Sequence, residues 1–157
     1  MAIDPKRFGT DLKLLTNLDL TKSSRDRPND LFTRIRVETN QSDLEVQSDV
    51  DNLVQALLLR FLTPVGEMEL LGHPDYGSRL FELIGELNSE TNRNRAKLFT
   101  LQALQAEPRV KEVRSVDVTQ NRADPTRMDI EVSLLPVDSD TLLNLVFPFF
   151  LERGVEA

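Results

Sequence analysis

One histidine, His73, is the entire supply of imidazole in this chain, and it stands beside the single tyrosine in Gly72-His73-Pro74-Asp75-Tyr76-Gly77. An imidazole base needs a nucleophile poised against it, and no G-x-S-x-G elbow occurs anywhere in the sequence. A metal site would have to combine His73 with Asp75, Glu67 or Glu69, and one imidazole plus carboxylates is not a usual zinc ligand set. His73 is therefore expected to brace the Asp75-Tyr76 turn. Paired carboxylates can cleave glycosidic bonds when burial raises one of them and the second lies roughly 5–9.5 Å away. Nothing in the sequence marks Glu67, Glu69 or Glu86 as desolvated, so they read as solvated surface acids. The glycines form no phosphate loop. The expectation is a chain with no catalytic residue, no cofactor and no metal, and one that is not an enzyme.

Glu107-Pro108-Arg109 is more specific. Proline fixes the backbone between two opposite charges at a helix end, so both side chains leave in defined directions. Two readings stand: a contact for a partner protein, or a helix stop with an internal salt bridge. Arg93, Arg95 and Lys97 likewise read either as a solvated helix face or as a docking patch for an acidic neighbour.

The elements that must position these residues follow from periodicity. With 157 residues the chain is within single-domain size. It has no cysteine, which excludes a disulfide framework and thiolate chemistry. A net charge of −7 repels phosphate backbones, so nucleic acid is not expected as a partner. The N-terminal residues lack the apolar core of a signal peptide, and no apolar run reaches the roughly 20 residues that span a bilayer, so a soluble protein with no membrane span is expected.

Residues 1–30 are polar and broken, with a short apolar patch from Phe8 to Leu15; they read as an arm that docks locally or as a disordered tail. Residues 31–157 form the main domain. Residues 33–37 and 43–47 alternate like half-buried strands around an Asn40-Gln41-Ser42 turn. Ser48, with Asp51 in a capping-box-like position, opens the strongest helix. Val50, Leu53, Val54, Leu57, Leu58 and Phe61 make its buried stripe, and Pro64 ends it. Pro64, Gly66, His73, Pro74, Asp75, Tyr76 and Gly77 are turn residues, with a short extended piece at Met68, Leu70 and Leu71 between them. Ser78 opens a short helix closed near Gly85, and a longer helix runs over 89–106. Strands follow at 110–119, 128–134 and 142–151. Pro148 cannot donate to a ladder, which places the last strand, Leu145-Val146-Phe147-Pro148-Phe149, at an edge. The fold class is α+β, with the helix 49–62 packed on the helix 89–106 and on a three-stranded sheet.

The run from Leu53 through Leu62-Thr63-Pro64-Val65-Gly66-Glu67, the His73-to-Leu80 segment and Glu107-Pro108-Arg109 together resemble the baseplate wedge family of contractile tails. That family is named after the phage W protein and its gene-product-twenty-five relatives, and it often carries a "lysozyme-like" label. The resemblance spans about residues 30–150. It implies a structural subunit at the junction of baseplate and sheath in a phage tail or injection particle, assembled in the cytoplasm. Its partners would be wedge proteins, met through Glu107, Pro108 and Arg109, and the first sheath ring. Central spike or hub proteins are further expected neighbours. Leu145, Val146, Phe147 and Phe149 would offer the sheath arms a strand to pair with. The alternative reading is a peptidoglycan-cleaving muramidase of the tail.

Overall fold

The computed structural model describes residues 8–14, 32–137 and 139–152. Its architecture is α+β. A short strand β1 (Thr10–Leu12) pairs antiparallel with β4 (Val46–Ser48), and β2 (Thr33–Ile35) pairs antiparallel with β3 (Ser42–Leu44). Two helices, α1 (Asp49–Leu62) and α2 (Glu90–Gln105), precede an antiparallel sheet of β5 (Val110–Gln120), β6 (Arg127–Pro136) and β7 (Leu143–Phe150), in the order β5-β6-β7.

The core lies between the helices and one face of that sheet. Leu53, Leu57 and Phe61 of α1 are buried at the spacing the sequence predicted, with Val50 and Val54 packed at the margin. On β6 the strict alternation of Met128, Ile130, Val132 and Leu134 sends every second side chain inward. Phe147 of β7 meets Phe61 of α1 with ring centroids 5.5 Å apart, which joins helix to sheet. The buried face of α2 is Ala96, Phe99, Thr100, Ala103 and Leu104, while Leu98 is 50% exposed. Ser89 caps α2 by accepting from the Asn92 amide at 3.2 Å. Among the described residues β7 is the last strand of its sheet, and its Pro148 sits opposite Asp129.

Four local expectations are corrected. The strands at 33–37 and 43–47 are shorter and are not half-buried, since Ile35 is 65% and Val37 97% exposed. Their pairing ends at Glu45, whose amide bonds the Phe32 carbonyl at 2.7 Å while its own carbonyl accepts from the Lys13 amide at 3.0 Å and so turns the chain to β1. Ser48 makes no side-chain cap to α1: it ends β4 in extended geometry, Asp49 turns the chain at φ 60°, and the Ser48 hydroxyl lies 3.5 Å from the Asp49 carboxylate. Glu69–Leu71 is a 3₁₀ turn, not an extended piece, because left-handed Gly66 and Gly72 bracket it and its amides bond back three residues. The short helix after Ser78 is likewise a 3₁₀ turn, Leu80–Leu83.

The Pro64-to-Ser78 segment closes on itself. Val65 donates to the Ser78 carbonyl at 3.0 Å, and Ser78 donates to the Thr63 carbonyl at 2.8 Å. Gly77 lies directly under this closure at φ 115°, where an added Cβ would overlap the Thr63 carbonyl oxygen and approach Pro64 within 2.9 Å. Gly85 has a similar φ of 90° but open space around it. Gly77→Ala should therefore lower stability by about 2 kcal/mol or more, and Gly85→Ala by about 1. Urea midpoints of the two variants measure the difference, and equal losses would show that backbone overlap at Gly77 contributes nothing.

Candidate functional site

The last turn of α1 delivers Arg60 to the end of α2, where the chain stops at Glu107-Pro108 and turns into β5 through Arg109. Glu107 is almost fully buried, with only 4% of its side chain exposed, and is met on both oxygens. Arg60 donates from its terminal nitrogen to Oε2 at 3.1 Å, and Arg109 donates from Nε to Oε1 at 2.7 Å. The Arg60 guanidinium also stacks on the Tyr76 ring, 4.5 Å from its centroid. Arg109 reaches toward the Phe8 carbonyl at 3.5 Å. One carboxylate thus ties the central helix, the α2–β5 corner, the 63–78 segment and residues 8–14 to a single point.

Those N-terminal residues form a strap across α1. Phe8 is 3% exposed, and Asn52 donates to its carbonyl at 2.8 Å. Gln55 accepts from the Leu14 amide at 2.9 Å and donates to the Leu12 carbonyl at 2.8 Å. Asn52 and Gln55 are therefore buried polar groups with full-strength partners, as burial requires.

Burial is the strongest single influence on the Glu107 carboxyl and pushes its pKa upward. The hydrogen bond and charge of Arg109, followed by those of Arg60, together outweigh it and hold the group below the ordinary glutamate value. The ionised form is thus built into the fold. Burial raises the Tyr76 hydroxyl, against the opposing charge of Arg60.

The other residues singled out in the sequence are dispersed. His73, Pro74 and Asp75 are exposed, with the His73 carbonyl accepting from the Tyr76 amide at 3.3 Å. Pro64 bridges to Ser78, and Gly77 is buried beneath that bridge. Glu67, Glu69 and Glu86 are exposed. Leu145, Phe147 and Phe149 face the core, and Val146, 56% exposed, faces outward. Arg93 bonds the Asn88 carbonyl at 2.9 Å, Arg95 bonds the Asn92 side chain at 3.1 Å, and Lys97 lies 3.6 Å from Asp117. For Glu107 and Arg109 the internal salt bridge is present, and Arg109 keeps 31% of its side chain exposed. Sequence reasoning missed Arg60. The signal was there: a lone arginine inside Leu57-Leu58-Leu59-Arg60-Phe61-Leu62 is buried only when paired.

No protein-family profile matches the chain, and no curated protein matches it. Among solved structures, a Geobacter sulfurreducens protein designated a candidate tail lysozyme matches with a TM-score of 0.57 and 24% identity, over 66% of this chain and 92% of that one. The two share a fold. This overturns one expectation: a chain folded like a protein designated a lysozyme cannot be set down as not an enzyme on sequence grounds. Among the described residues, no helix is long and apolar enough to cross a membrane.

Two outcomes test the carboxylate centre. Arg60→Ala leaves Glu107 buried with one partner and should cost about 3 kcal/mol in urea unfolding. Because the folded carboxyl is held below the unfolded value of about 4.3, its contribution is complete above that pH and lost as pH falls through the folded value. The fall in stability below about pH 4.3 should be shallower in Glu107→Gln than in the parent.

Proposed function

We propose that this protein is a structural subunit of a phage tail or related contractile particle, seated between baseplate wedge proteins and the first ring of sheath protein. The observation that carries the reading is the border position of β7, the third and last strand of its sheet among the described residues. Its inward residues Leu145, Phe147 and Phe149 are held by the core, so the strand is rigid, and Val146 faces outward beside the backbone border. A sheath arm crossing there would meet the exposed Val146 side chain at little ordering cost to this chain. The shared fold with a protein designated a candidate tail lysozyme supports the tail setting. The exposed part of Arg109 and the exposed Pro108 beside it make the wedge contact, on a corner already stiffened by Glu107.

The designation of the Geobacter protein favours a second reading, a muramidase of the tail acting on peptidoglycan. Its proton donor would be an acid other than Glu107, whose carboxyl Arg109 and Arg60 hold below the ordinary glutamate value.

Two experiments separate these readings. A photo-reactive residue in place of Val146, in assembled particles, should cross-link to the sheath protein; adducts with other proteins alone would refute the sheath contact. Purified protein incubated with cell walls reports on the second reading. Muropeptide release, abolished by changing one exposed carboxylate, would establish it, and intact walls would remove it.

A further inference from the structure

The 63–78 segment carries a feature that neither the carboxylate centre nor the sheet border uses. Leu70 is 99% exposed and Leu71 69%, side by side at the tip, with Val65 38% exposed nearer the base. An isolated exposed leucine on a surface needs no explanation, but two at the summit of a rigid loop do. Rigidity is written in the backbone. Glu67, Glu69, Leu71, Gly72, His73 and Tyr76 all donate to carbonyls within the segment, at 2.9–3.3 Å. The base is clamped by the Val65–Ser78 and Ser78–Thr63 bonds, by the Ser78 hydroxyl on the Phe61 carbonyl at 2.8 Å, and by Arg60 against Tyr76. The tip is thus held in shape without any covering, and a partner that buries it pays little for ordering it.

Charge selects the partner. From Phe61 to Ser78 the chain has three carboxylates, Glu67, Glu69 and Asp75, all exposed, and no lysine or arginine. An apolar tip with an acidic collar is repelled by an anionic lipid surface. It is repelled as well by a second copy of the same loop on a protein of net charge −7.

We infer that the Leu70-Leu71 tip is a docking knob for another protein, inserting into an apolar cleft whose rim carries lysine or arginine side chains. The leucines supply the buried area, and Glu67, Glu69 and Asp75 supply rim pairs that set orientation and association rate. Leu70 and Leu71 take no part in the contacts assigned to β7 and Arg109, so the inference stands whether or not the tail reading does.

The full chain, carrying p-benzoylphenylalanine in place of Leu71, is irradiated in an extract of its own host. The expected result is one discrete protein adduct whose cross-linked peptide lies in an apolar segment flanked by lysine or arginine. Adding Glu67→Lys and Glu69→Lys should cut its yield about tenfold or more, and so should Leu70→Ser. Thermal melts of these variants should match the parent, because all three side chains are exposed. Four results would overturn the inference: no protein adduct, a lipid adduct, an adduct with a second copy of this chain, or a yield indifferent to the charge reversal.

Discussion

A carboxylate taken out of water must be met by positive charge at close range, and Glu107 is met twice. Much of the molecule is arranged by that requirement. Arg60 can lie within an otherwise apolar stretch of α1 only because Glu107 waits for it, and Tyr76 supplies the ring on which its guanidinium rests. Arg109 closes the second oxygen, so the backbone leaves the helix and joins β5 in one direction. Pro108 is the link between the two charges and removes the freedom that would let them separate. The centre is polar, yet it behaves as a structural joint because each charge has its partner.

The apolar periodicities of α1 and β6 are strong enough to survive in isolation, which is why Leu53, Leu57, Phe61 and the Met128-to-Leu134 alternation could be read from the sequence. The three strands of the sheet followed from alternation and apolar runs of the same kind. Long-range polar pairing was not legible. The apolar run around Arg60 says that it needs a partner but not that the partner lies 47 positions later, and nothing in Asn52 or Gln55 announces a strap 41–44 residues upstream. The exposed strands β2 and β3 misled for the opposite reason. Alternation reports which side chains share a face, and it is silent on whether anything covers that face.

The exposed surfaces differ in kind. The sheet offers Val146, the outward side chain of β7. The Glu107 corner offers one arginine on a stiffened turn. The 63–78 loop offers apolar area inside an acidic ring. Surfaces of such different kinds are recognised by different physical rules and compete little with one another.

The strap has a consequence for the order of events at the ribosome. Phe8 emerges before every one of its receptors: β4 and Asn52 appear some forty residues later, and Arg109 is 101 positions downstream. At about 5–20 residues per second, roughly 5–20 s of synthesis separate the strap from that arginine. The bonds to β4, Asn52 and Gln55 can close once α1 exists, the contact with the α2–β5 corner comes later, and a chain halted before Arg109 carries its strap without that contact.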